Sequence, residues 1–337
     1  MGRKLGAGLA LAVMLLAACG ADDDEPDVQL DRTVRPSRPA MVEVTVTDLG
    51  YRATKPGTLP VADDATAVGG VRLPAGHLVD VDRSNVADPK KVPAGPVAWV
   101  SDDPVEELGT LWSDLAERFP DTGLWPLILE RRDDRWWDEA LDPTMSRQPD
   151  QLAGIDVEAS LAGWWTENLP SAEELSEPAS AKWVDGMLAP FGHRFPGLAA
   201  APDAPLRQET RTKVPAGSGH LALVPVERPA DAPAVLGWTG PLNYYNDVGP
   251  FTVVLRSWED RFGAVVVGLG FDTLAMVVRR PPTTGDETIA VAAEHYAACP
   301  DLVQQKRRHH RELRLDASGP ALLGLLVGLS RPPVACA

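Results

Sequence analysis

Only three of the 337 residues are cysteine, at positions 19, 299 and 336, too few to staple a disulfide-built fold. Basic residues are also scarce, 32 against 48 acidic ones, giving a formal net charge of -16. Phosphate backbones are bound through clustered Lys and Arg, so nucleic acid is excluded as a bulk electrostatic partner. No apolar run reaches the roughly 20 residues that a bilayer-crossing helix needs. Leu5 to Leu16 stops well short of that length, and Ala321 to Leu329 is shorter still. There is no internal repeat of solenoid period, no G-x-S-x-G elbow, no P-loop and no H-E-x-x-H, which removes the commonest hydrolase, nucleotide and zinc-protease patterns. What is present is 44% apolar residues against 24% charged ones, enough to build a core in one large or two ordinary domains.

The N-terminus carries the most specific local signal. Arg3 and Lys4 form a positive region, Leu5 to Leu16 an apolar one, and Leu16-Ala17-Ala18-Cys19 closes it with small residues. This is the layout of a secretion signal. The closing tetrapeptide resembles the lipobox of bacterial lipoproteins, in which the Cys sulfur receives a diacylglycerol and becomes the mature N-terminus. The resemblance implies that residues 1–18 are a signal peptide and that Cys19 is an anchor. The membrane is then the expected partner, through that lipid, at the extracytoplasmic face of the cell membrane. Two acyl chains at ~0.8 kcal/mol per buried CH₂ hold a soluble body durably. Residues 19–40 read as a solvated tether, because Asp22-Asp23-Asp24-Glu25 repel one another and Pro26, Pro36 and Pro39 discourage folding.

From residue 41 the pattern is globular. Met41 to Thr47 alternates as a half-buried strand, and Val71 to Asp82 holds one or two more around Pro74-Ala75-Gly76. After a short apolar strand at Pro96 to Val100, Asp103 and Pro104 predict a helix start. Val105, Leu108, Leu111, Trp112, Leu115 and Phe119 then recur at helical spacing, and Leu124 to Leu129 reads as a buried strand. Further on, Leu221 to Val226 and Ala234 to Trp238 read as strands. A helix follows with Phe251, Val254, Leu255, Trp258 and Phe262 on one stripe and Gly263 as its stop. Two strands, Ala264 to Leu269 and Thr273 to Val278, precede a capping box at Thr284 and Glu287 that opens a helix to Cys299. The expected fold class is α+β: a mixed β-sheet with helices packed against it, in two subdomains, an N-terminal α/β region over residues 41–205 and an α+β domain over residues 206–305.

Several ordered motifs in the second region look like one known family. Trp258-Glu259-Asp260-Arg261-Phe262-Gly263-Ala264, Gly270-Phe271-Asp272-Thr273-Leu274, Pro281-Pro282 and Ala293-Glu294-His295-Tyr296-Ala297-Ala298-Cys299-Pro300-Asp301 resemble the DUF4253 family. Trp238-x-Gly240-Pro241-x-Asn243 and Asn246-Asp247 extend the likeness upstream, so that it covers roughly residues 220 to 305. The resemblance implies a domain and no mechanism, since the family has no assigned activity. The likeness departs after Gln305, where the chain runs Lys306-Arg307-Arg308-His309-His310-Arg311 and holds no further Trp. Residues 306–337 form an atypical tail with six basic and two acidic residues, a switch in composition that a reading-frame change in the gene would produce.

Two classes of function follow. In the first, the body is a binding or interaction module for a protein or peptide. Ten Trp make the pairs Trp136-Trp137 and Trp164-Trp165 candidates for an aromatic surface, or else for core filling. On a strand one member of each pair would face outward. Asn243, Asn246, Asp247, Trp258 and Arg261 are the other contact candidates. In the second class a hydrolase-like enzyme uses Glu294, His295, Cys299 and Asp301, with His295 one helical turn from Cys299 and able to lower its thiol pKa. The same set could instead bind zinc or be structural. Two potential ligands one turn apart are not a metal signature, so no metal and no cofactor is expected. Arg256, Glu259, Asp260 and Arg261 share one side of their helix, where they can pair among themselves or equally face a partner.

Overall fold

The computed structural model describes residues 41–300 apart from 48–50, 62–65, 81–93, 131–136, most of 170–187, 217 and 242–245. The signal peptide, Cys19, the tether, Trp136, Asn243, Asp301 and the tail therefore lie outside the described residues. The elements run β1 (Met41–Thr47), β2 (Ala67–Val68), β3 (Val71–Arg72), β4 (Gly76–Val79), β5 (Ala98–Ser101), α1 (Leu108–Thr122), β6 (Leu124–Leu129), α2 (Val157–Glu167), β7 (Glu209–Pro215), β8 (Leu221–Pro225), α3 (Ala232–Leu236), α4 (Val248–Phe262), β9 (Ala264–Leu269), β10 (Leu274–Val278) and α5 (Gly285–Ala298).

One six-stranded sheet, in the order β10-β9-β6-β8-β5-β4, organises the fold. Every pair in it is antiparallel except β6 with β9, which run parallel through Ile128↔Gly268 and Leu129↔Leu269. The α+β class with a mixed sheet is thus what forms. The boundary expected near residue 205 does not divide this sheet, because β4, β5 and β6 from before it interleave with β8, β9 and β10 from after it. The described residues form one compact unit. A separate pair, β1 with β7, lies alongside, and Val44 and Val46 of β1 are buried as the alternation predicts.

Tryptophan fills the core. Trp125 of β6 is fully buried and meets Trp112, Phe119 and Tyr51 edge-on at centroid distances of 5.6, 5.1 and 5.2 Å. Its indole N–H donates to the Val266 carbonyl at 2.8 Å, level with Pro126, a residue that has no N–H to offer the neighbouring strand. Trp112 in turn donates to the Pro126 carbonyl at 2.9 Å.

Three local expectations are corrected. Helix α1 starts at Leu108, not Pro104, because Asp102 and Val105 donate their backbone N–H groups to Ala75 and Gly219, which holds that segment out of the helix. Residues 234–238 are not a strand. Pro233 presets the first turn of α3, and Gly237, at φ +70°, ends it. Trp164 and Trp165 sit on a helix, α2, opened by Asp156, whose carboxylate accepts from Ala159 N–H at 2.9 Å. Both are buried, Trp165 against Tyr296 edge-on at 5.3 Å, because α2 packs its apolar face onto α5. They offer no exposed aromatic surface. The side chain of Trp137 is not among the described ones.

Elsewhere the local code holds. Thr284 and Glu287 form both hydrogen bonds of the capping box, and Gly263, at φ +59°, closes α4. Among the described residues, no helix is long and apolar enough to cross a membrane.

Candidate functional site

Helix α4 carries Trp258 and Arg261 one turn apart, and α5 carries Glu294 and His295; the two helices pack so that these four side chains meet. Glu294 is completely buried. Arg261 clamps it bidentately, Nη1 donating to Oε1 and Nη2 to Oε2 at 2.7 Å each. The Trp258 indole donates to Oε2 at 2.8 Å and the Ala199 N–H to Oε1 at 2.6 Å. Four donors leave this carboxylate nothing to offer a substrate. The pair is one of the charge-assisted, fork-like contacts that hold geometry most firmly.

His295 is 4% exposed and lies edge-on to Trp258 at 4.8 Å. Burial, helped by the Arg261 charge, pushes its pKa down to about 4, so the ring is neutral at physiological pH. Cys299 is buried and disulfide-bonded, so it presents no thiol. Of the two loop candidates that are described, Asn246 is exposed. Asp247 is committed to the fold: it caps α4 by accepting from Gly249 N–H at 2.8 Å and pairs with Arg147 at 3.2 Å.

The charged residues of α4 pair across the fold and not along their own helix. Arg256 binds Asp231 at 2.5 Å, Asp260 takes Arg52 and Arg228 at 2.9 Å each, and Glu259 pairs with the same two arginines. Burial raises the Glu259 pKa, and the Arg228 and Arg52 charges oppose that rise. The cluster ties residues 51–52 and the segment before α3 onto α4.

A second constellation was missed by sequence reasoning. At the carboxyl end of β6, Glu130 is buried, and its N–H donates to the Leu269 carbonyl of the parallel strand at 2.9 Å. Thr273, in the turn joining β9 to β10, donates its hydroxyl to Glu130 Oε2 at 3.0 Å. Among the described residues, Oε1 is enclosed with no hydrogen-bond partner. Burial drives the Glu130 carboxyl up to a pKa of about 7, against the Thr273 hydrogen bond and with a further push from Asp272, itself 2% exposed. Trp238 braces the turn, its indole N–H donating to the carbonyls of Gly270 at 2.9 Å and Phe271 at 3.2 Å. Among the described residues no group of three or more His, Cys, Asp or Glu converges as a metal cluster. A groove of about 530 Å³ lies elsewhere, between the β2–β3 hairpin and α1, lined by charges of both signs such as Arg72, Arg118, Asp114 and Glu117.

Residues 220–319 match the family described as "Domain of unknown function (DUF4253)". The chain carries a DUF4253 domain. The match runs past Gln305, where the sequence likeness had been expected to stop. No curated protein and no solved structure matches the chain.

Within the DUF4253 domain the separate motifs meet in pairs. The segment around Trp258 and Arg261 closes on Glu294, and Trp238 closes on Gly270 and Phe271. Gly240 completes the second contact, since an added Cβ would lie 2.0 Å from the Trp238 indole. The motifs of the DUF4253 domain thus encode one buried ion pair and one braced turn. Glu130, which the turn faces, lies upstream of the domain. The only signal that could have marked it was its place as the first charged residue after the all-apolar Leu124–Leu129.

Proposed function

We propose that the protein is a membrane-tethered lipoprotein of the extracytoplasmic face whose folded body is a binding module for a protein or peptide, not a hydrolase. The observation that carries the choice of class is the enclosure of the candidate catalytic set. Glu294 is saturated by four donors, His295 is buried and neutral, and Cys299 has no free sulfur. A hydrolase needs a nucleophile and base converging on a reachable atom. Asp301, the remaining candidate, is outside the described residues. A disulfide at Cys299 fits an oxidising, exported setting. The charge of residues 20–305, 24 basic against 46 acidic, favours a cationic partner.

Anchoring rests on Leu16-Ala17-Ala18-Cys19 and is tested by Cys19→Ser. Wild type is expected in the detergent phase after membrane fractionation, with the variant unprocessed and unacylated. A wild-type protein recovered free in the cytosol would overturn the anchor. The non-enzymatic reading is tested separately by iodoacetamide without reductant: native protein is expected to stay unlabelled at Cys299, and rapid labelling there would reinstate the nucleophile.

A further inference from the structure

We propose that Glu130, Asp272 and Thr273, gathered at the carboxyl edge of the sheet, hold a hydrated hard divalent cation of the magnesium or manganese type. The place comes from topology. β6 and β9 are the parallel pair of the sheet, and their C-terminal ends finish side by side, the end of a parallel pair at which ligands are bound in open α/β sheets. Glu130 closes β6 and the turn carrying Asp272 and Thr273 closes β9.

The turn is built for close approach. A Cβ on Gly270 would sit 2.2 Å from Thr273 Oγ1 and 3.0 Å from Glu130 Cβ, so only glycine lets the turn lie against the end of β6. The Gly270 N–H donates to the Thr273 carbonyl at 2.9 Å, and Trp238 fixes the other side of the turn. Against this rigid frame the orphaned oxygen is conspicuous. Glu130 is 7% exposed, Thr273 serves Oε2, and among the described residues nothing serves Oε1. A buried carboxylate oxygen without a donor is costly, and folds rarely keep one without a use.

The donor chemistry selects the ion. Two carboxylates and a hydroxyl are all oxygen, which suits hard cations and not zinc or copper. Two protein carboxylates fall short of the ligand cage that calcium or a structural zinc takes, whereas magnesium keeps several waters and is commonly held by one or two carboxylates. An ion there would give Oε1 its partner and offset two buried acidic groups at once. This departs from the sequence expectation of no metal.

The test uses full-length protein in detergent, stripped with EDTA and dialysed, then titrated with Mn²⁺ alone while the free-ion EPR signal is followed. One Mn²⁺ per chain is expected at this site, displaced by excess Mg²⁺. Glu130→Gln keeps the shape and removes the charge, and is expected to weaken binding at least tenfold with the far-UV circular dichroism unchanged. Thr273→Val is expected to weaken it severalfold, a second variant in case the first disturbs folding. Binding should be the same in Cys19→Ser, so failure here leaves the anchor untouched. No Mn²⁺ uptake, or uptake undiminished in both Glu130→Gln and Asp272→Asn, would overturn the proposal and assign any bound ion to the acidic surface.

Discussion

Replacing Arg261 by methionine is expected to cost the folded domain about 3–5 kcal/mol, because it strands Glu294 as an uncompensated buried charge. The arginine supplies two of the four hydrogen bonds to a carboxylate that no water reaches. Methionine keeps the aliphatic bulk, so the loss reports the charge and not a cavity. Trp258→Phe, which deletes a single donor to Oε2 of the same carboxylate, should cost less, about 1.5–3 kcal/mol. The double variant Arg261→Met with Glu294→Gln should recover much of the loss, since it removes both charges together. Urea unfolding measures all three; an Arg261→Met protein with the wild-type midpoint would mean that Glu294 finds solvent or another cation.

The second large effect is a pair of opposed pH dependences. His295 has a folded pKa near 4 against an ordinary 6.5, so the native state resists protonation. Its contribution is complete above pH 6.5 and is lost as pH falls toward 4, on the order of 3 kcal/mol across that window. Glu130 has a folded pKa near 7 against an ordinary 4.5, so the native state prefers the proton. Its contribution is complete below pH 4.5 and is lost as pH rises through 7, again on the order of 3 kcal/mol.

Between pH 4.5 and 6.5 the two trends oppose each other, and in wild type they largely cancel. Each variant should expose the other group. With EDTA present, Glu130→Gln is expected to exceed wild type in stability at pH 8 and to decline steadily on acidification. His295→Phe, which retains the aromatic contact with Trp258, should instead gain stability as pH drops from 7 to 4.5. Unfolding midpoints measured at half-unit pH steps decide the matter; parallel curves for Glu130→Gln and wild type would show that Glu130 is solvated.

How far the sequence discloses this molecule depends on the range of the interaction. The capping box at Thr284, the stop at Gly263 and the alternation of Met41 to Thr47 are written within a few residues, and each forms as read. Where local preference competes with a distant hydrogen bond, it loses. Asp103 and Pro104 are a good helix start, yet Ala75 and Gly219 hold the flanking N–H groups. The Trp164-Trp165 pair reads outward only if the segment is a strand, and α2 turns both rings inward. Arg261 and Glu294 were both singled out, but their bond spans 33 residues and no periodicity connects them. Glu130 is harder still, because nothing in the row of residues around it distinguishes a sealed carboxylate from a solvated one.

The order of strands in the sheet bears on inheritance. β8, with which the recognised block of sequence opens, is flanked on both sides by β5 and β6, and β9 leans on β6, so every partner of β8 is upstream of the block. A polypeptide cut at residue 220 would keep the matched segment while leaving that strand bare along both edges. In this chain the matched block is therefore smaller than the sheet it belongs to, and its first strand is paired wholly by strands that precede it.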